Sequence, residues 1–103
     1  MASAGFVAVL VVELHFGEAQ SLKQKRKELH SIKALLQRRL GAAVAEIDHQ
    51  DRWQRATLNV AVTGASPAAV NALSDRVERF LDARNPDGVH VERLIASVEE
   101  LRE

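Results

Sequence analysis

Two hydrophobic periods alternate along the chain. Residues 6–16, FVAVLVVELHF, place Phe6, Ala8, Leu10, Val12, Leu14 and Phe16 on one face of a strand and Val7, Val9, Val11, Glu13 and His15 on the other. Only the C-terminal half alternates apolar with polar. The first half is apolar on both faces, which predicts cover on both sides. From Leu22 the period changes. Leu22, Leu29, Ile32, Leu36 and Leu40 recur at spacings of seven, three, four and four, the stripe of a helix over 21–40. Ser21 can cap it through its hydroxyl, and Gly41 ends it.

Residues 42–49, AAVAEIDH, predict a second strand, weakened by its alanines. Gln50 to Trp53 form a turn. Residues 54–63, QRATLNVAVT, predict a third strand with Ala56, Leu58, Val60 and Val62 inward and Thr57, Asn59 and Thr63 outward. Ser66 and Pro67 open a second helix, which carries Val70, Leu73, Val77, Phe80 and Leu81 to Ala83. Asn85-Pro86-Asp87-Gly88 is a turn signal, and residues 89–98 predict a fourth strand. Residues 1–5 and the acidic end 99–103 are expected to fray.

Strand, helix, strand, strand, helix, strand defines an α+β, ferredoxin-like βαββαβ domain over residues 1–103. Right-handed crossovers set the antiparallel sheet order as 4-1-3-2, with both helices on one face. Leu10, Val12, Leu14, Leu29, Ile32, Leu36, Leu58, Val60, Leu73, Val77 and Phe80 are the expected core. The end of strand 1, the start of helix 1, the turn between strands 2 and 3 and the turn at Asn85–Gly88 then share one end of the sheet. Helix 1 therefore starts near Asp48-His49-Gln50-Asp51-Arg52-Trp53-Gln54-Arg55. The other sheet face carries Val7, Val9 and Val11, an apolar patch that predicts a homodimer.

Charge changes the picture at helix 1. The chain has 14 Lys and Arg against 14 Asp and Glu. Residues 21–40 hold seven of those bases (Lys23, Lys25, Arg26, Lys27, Lys33, Arg38, Arg39) and one acid, Glu28. A helix N-terminus prefers acids, yet Lys23, Lys25, Arg26 and Lys27 crowd this one, at a cost of a few tenths of a kcal/mol each, roughly. Free backbone N–H groups with clustered cations make an anion site. The bland alternative is a solvated basic face. Lys25 lies near the apolar stripe and must snorkel outward or find an acidic partner.

The chain has no cysteine, which removes disulfides, thiol catalysis and Cys-ligated metals. FVAVLVV is too short to span a membrane, and no basic segment precedes it, so a soluble cytoplasmic protein without a membrane partner is expected. Trp53 sits between Arg52 and Arg55. Tryptophan is usually largely buried, so packing over helix 1 or across a dimer is the favoured reading and stacking on a nucleobase the alternative. Glu13, His15, Asp48 and His49 are possible ligands or bases. They lack an H-x-x-x-H spacing and a neighbouring Ser or Cys nucleophile, so no metal, cofactor or catalytic residue is assigned.

SLKQKRKELHSIKALLQRR followed by VAEIDHQDRWQRATLNVAV resembles the YlxP-like family of small bacterial proteins, a domain of unknown function. The residues that carry the resemblance are Ser21, Leu22, Lys23, Lys25, Arg26, Glu46, Asp48, His49, Gln50, Trp53, Gln54 and Arg55. It covers nearly the whole chain and implies a ferredoxin-like fold. It also implies genes often found beside translation and ribosome-maturation genes, and no established activity.

Other uses of this fold fit poorly. Strand 3 has no aromatic residue, so base readout on the sheet is not expected. A metal chaperone needs a Cys pair, and GEAQ before helix 1 does not resemble the Gly-rich, Arg-bearing loop of acyl-phosphate hydrolysis. No P-loop motif occurs. The first functional expectation is a non-enzymatic module that binds RNA or the ribosome. It would use Ser21, Lys23, Lys25, Arg26, Lys27, Arg52, Trp53 and Arg55, with no DNA sequence readout. The second is a homodimeric structural or regulatory module for a small anion or a protein. An uncharacterised enzyme ranks third.

Overall fold

The computed structural model describes residues 5–85 and 88–103. Its elements are β1 (Phe6–His15), α1 (Leu22–Leu40), β2 (Ala43–Asp48), β3 (Arg55–Gly64), α2 (Pro67–Arg84), β4 (Val89–Ser97) and a single turn, α3 (Val98–Leu101). The antiparallel sheet runs β2-β3-β1-β4, the expected order read from its other edge.

Local chemistry sets the helix limits. Ser21 Oγ accepts from the Gln24 N–H at 3.1 Å, satisfying a donor that α1 leaves free. Gly41 adopts φ 64, and the Ala42 N–H returns to the Leu36 carbonyl at 3.2 Å. A side chain would resist that left-handed closure. Ser66 caps α2 in the same way and Pro67 follows it.

The core lies between the helices and the inward face of the sheet. Leu10, Val12 and Leu14 of β1, Ala56, Leu58 and Val60 of β3, Leu29, Ile32 and Leu36 of α1, and Val70, Val77 and Leu81 of α2 are all buried. Leu73 and Phe80, expected in the core, lie at its margin and are partly buried. α2 instead turns Ser74 fully inward, where its hydroxyl donates to the Val70 carbonyl at 2.8 Å. That bond is what makes a buried serine tolerable. Arg93 lies opposite Leu10 on the inward side of β4, and α2 holds it through Asn71, Asp75 and Glu78 at 2.9, 2.9 and 2.7 Å. The hydrogen bonds it donates to Asp75 and Glu78 favour its charged form and raise its pKa.

The end of the chain, expected to fray over 99–103, includes the single turn α3. Ser97 and Glu100 form a capping box, and the Val98 N–H donates to the Gly5 carbonyl at 3.0 Å. These bonds tie α3 to the start of β1. Residues 1–4, also expected to fray, lie outside the described residues. So do Pro86 and Asp87 of the predicted turn, whose ends are joined by Gly88 N–H to Asn85 O at 3.2 Å. Among the described residues no helix is long and apolar enough to cross a membrane.

Candidate functional site

The stripe of α1 skips a turn between Leu22 and Leu29, and Lys25 occupies the skipped position. It is fully buried. Its Nζ donates to the His49 carbonyl oxygen at 2.6 Å and lies 3.9 Å from Glu46 Oε2. Burial disfavours the ammonium and lowers its pKa; the Glu46 charge opposes that shift, Arg26 adds to it and Asp51 opposes it. Glu46 faces inward opposite Leu58 on β3, and its buried Oε2 has no hydrogen-bond partner among the described residues. The pair is therefore a charge contact, while the short bond to His49 fixes the ammonium.

Lys25 and Arg26 together pin the connection between β2 and β3. Arg26 Nη2 donates to the Gln50 carbonyl at 3.0 Å. His49 has φ 62, a left-handed backbone uncommon outside glycine. Its N–H donates to Asp48 Oδ1 at 2.7 Å, and its carbonyl also accepts from the Arg52 N–H at 3.1 Å. The far side of the connection is held too. The Phe16 N–H donates to the Gln54 carbonyl at 2.8 Å, and Arg55 pairs with Glu13 at 3.1 Å. Strand 1, helix 1 and the hairpin do converge at one end of the sheet. The His15 N–H bond to Gly88 O at 3.2 Å brings the turn before β4 to the same end.

Trp53 stands on this pinned hairpin and is 50% exposed. Packing within one chain therefore leaves half of it uncovered. A cleft of about 590 Å³ beside it is lined by His15, Asp51, Arg52, Gln54 and Arg55. A second hollow on the helix-1 side includes Gly17, Glu18, Gln20 and Gln24.

The expected site residues divide into three groups. Lys23, Lys27 and Arg52 are exposed, and their side chains make no hydrogen bond or ion pair among the described residues. Arg26 and Arg55 are engaged, Arg26 with Gln50 and Arg55 with Glu13 on the outward sheet face. Lys25 and Ser21 serve the fold: one is buried under the hairpin and the other caps α1. Lys25 thus leaves the proposed anion surface, because burial removes its ammonium from contact with any ligand.

Glu13 lies opposite Thr57 on the outward sheet face, and Asp48 lies opposite the same Thr57 from the other side. The His49 backbone makes the hydrogen bonds of the hairpin, while its imidazole Nε2 lies 3.9 Å from Asp48 Oδ2. Among the described residues, no group of three or more His, Asp or Glu is placed to hold a metal ion. Val7, Val9 and Val11 share the outward face with Ala61, Leu94 and Ala96; Val9 lies between Ala61 and Leu94, and Leu94 is 51% exposed.

The sequence reading missed the part played by Glu46. Its signal was two opposite charges at positions the helix and strand periods both turn inward: Lys25 in the gap of the helical stripe, and Glu46 two residues after inward-facing Val44. A groove of about 440 Å³ runs beside that pair, lined by Arg26, Lys27, Leu29, His30, Lys33 and Glu46.

Fold and site together define an open-faced ferredoxin-like α+β domain whose β2–β3 hairpin is pinned by Lys25 and Arg26 of α1 at one end of the sheet. Residues 7–94 match the family model described as "Protein of unknown function (DUF503)", and the chain belongs to that family. It is 33% identical over 66 residues to "Uncharacterized protein YlxP" of Bacillus subtilis (strain 168), an alignment covering 64% of this chain and 72% of that one. A solved structure, "De novo designed protein Foldit4", superposes with a TM-score of 0.56 over 90% of this chain and 97% of its own, at 14% identity. That likeness is one of fold alone.

Proposed function

We propose that this domain is a non-enzymatic binding module for structured RNA, free or within the ribosome, working in the cytoplasm through the surface at the start of α1 and the β2–β3 hairpin. One observation carries the reading. Lys23, Lys27 and Arg52 are exposed and unengaged at a helix start whose first turn contains no acid. The Lys25 and Arg26 bonds to His49 and Gln50 hold the hairpin, and Arg52 with it, beside that helix start. Lysine and arginine in such a patch neutralise backbone phosphates without reading sequence. Zero net charge keeps the attraction local to the patch.

The test is retention of ribosomal RNA fragments and transfer RNA, with co-pelleting of ribosomes, at low salt. The wild type is retained. Lys23→Glu with Lys27→Glu lowers retention about tenfold or more while its melting temperature stays within a few degrees, since neither side chain holds the fold. Failure of the wild type to bind any of these partners ends the RNA reading.

A second reading has its own observation. Val7, Val9 and Val11, with Ala61, Leu94 and Ala96, form an apolar area on a sheet face that no helix among the described residues covers. A second copy seated there would make a homodimer, and the module would then serve a small anion or a protein.

A further inference from the structure

The cation patch leaves Trp53 unexplained. A half-exposed indole forgoes burial that would stabilise the chain by about 25 cal/mol for each Å² covered. The hairpin that presents it is nonetheless fixed on both flanks. Lys25 and Arg26 hold the carbonyls of His49 and Gln50, and Phe16 and Glu13 hold Gln54 and Arg55. The backbone on either side of Trp53 is thus tied to β1 and α1. The indole is held out from the body of the domain at the wall of an open cleft.

The lining of that cleft gives the ligand its chemistry. Arg52 supplies an unengaged guanidinium, Asp51 a carboxylate acceptor, and Gln54 an amide that both donates and accepts. The volume, about 590 Å³, lies in the range of small-molecule sites. A flat π surface, a cation and neutral or acidic acceptors side by side suit a base with its phosphate. A purely apolar side chain from a protein partner would leave these polar groups unanswered. The faces of paired bases are closed inside a duplex, so away from a duplex end only an unpaired base can lie against an indole.

We propose that Trp53 is the stacking platform of a site for one unpaired RNA nucleotide, in a loop, bulge or single-stranded end, whose phosphate meets Arg52. This rests on the RNA reading and deepens it. The phosphate patch at Lys23 and Lys27 gives general attraction, and Trp53 selects RNA that offers an unstacked base. Larger bases stack over more of the indole, so adenine is preferred to uracil.

The chain has one Trp and no Tyr, so its indole fluorescence reports on Trp53 alone. Wild-type protein is titrated with fluorescein-labelled hexa-adenylate, hexa-uridylate and a blunt RNA duplex, reading anisotropy of the label and, with unlabelled RNA, emission of the indole. Single strands quench the indole, adenylate more than uridylate, and the duplex binds without quenching. Trp53→Leu weakens adenylate binding about five- to a hundred-fold, whereas Trp53→Phe keeps most of it. Both variants leave the slope of log affinity against log salt unchanged. RNA bound with unaltered emission, and with Trp53→Leu as tight as wild type, overturns the nucleotide site and leaves the phosphate patch standing. Absence of RNA binding at low salt overturns both. Emission that shifts with protein concentration in the absence of RNA places the indole between two copies and also overturns the proposal.

Discussion

Lys25 Nζ lies 2.6 Å from the carbonyl oxygen of His49, at the one described non-glycine residue with positive φ. A cation on the first helix and a strained residue after the second strand thus meet across 24 positions of sequence. The bond turns a basic run into a structural clamp. It spends one lysine, fully buried, to hold a hairpin whose Arg52 and Trp53 remain exposed. The clamp and the binding surface therefore draw on the same run but on different residues.

Removing the clamp has a signed cost. Lys25→Met keeps the volume but strips a donor from His49 and leaves Glu46, only 12% exposed, without its counter-charge. A loss of about 1–3 kcal/mol is expected in urea unfolding. Lys25→Met with Glu46→Leu recovers part of it, because no isolated charge is then left under the hairpin. A double variant less stable than the single one contradicts this account. The pH dependence follows from the lowered Lys25 pKa. Between its folded value and the higher ordinary lysine value, the unfolded chain binds the extra proton. Stability from this group therefore rises with pH across that alkaline window. The wild type should gain on Lys25→Met there, and an opposite trend would show the pKa to be raised.

His49 tests the hairpin backbone separately from its side chain. His49→Val forces a β-branched residue to positive φ and should cost about 1–3 kcal/mol. His49→Gly suits that backbone, keeps the carbonyl for Lys25 and should stay within about 1 kcal/mol of wild type, the entropic cost of glycine offsetting the relief. Equal losses in the two variants, by thermal or urea unfolding, would mean that the imidazole and not the backbone matters.

Much of this was legible in the sequence, for identifiable reasons. The alternation Leu10, Val12, Leu14 and the helical spacing Leu29, Ile32, Leu36 are direct images of the buried faces they form. Ser21, Gly41, Ser66 and Pro67 marked helix ends because each has one local job. Hydrophobicity alone puts Leu73 and Phe80 in the core, whereas the angle of α2 turns Ser74 inward instead. Lys25 was legible as a conflict, a charge beside an apolar stripe, but its resolution depended on the His49 carbonyl. Backbone conformation at a turn leaves almost no trace in residue type when the residue is histidine. The C-terminal turn also has a local signal, Ser97 and Glu100 standing three apart as a capping box requires.

Leu36 is fully buried between α1 and the sheet. Leu36→Ala should lower unfolding free energy by about 2–5 kcal/mol. A loss below about half a kcal/mol in urea, well outside the range for buried leucine truncations, would remove Leu36 from the core.

The open sheet face predicts assembly. Val9 lies between Ala61 and Leu94 at the centre of its apolar area. Sedimentation should give a dimer for the wild type and a monomer for Val9→Lys, with the fold retained in both. A wild type that sediments as a monomer at micromolar concentration rules out this interface.

The central claim is that Lys23, Lys27 and Arg52 meet phosphates, and the salt dependence of RNA affinity tests it most directly. Three phosphate contacts predict a slope of log affinity against log salt of about −2 to −3 for the wild type. Lys23→Glu with Lys27→Glu should flatten it to about −1 or less, since one cation of the three is left. A wild-type slope near zero, or one that the double variant leaves unchanged, would contradict the account.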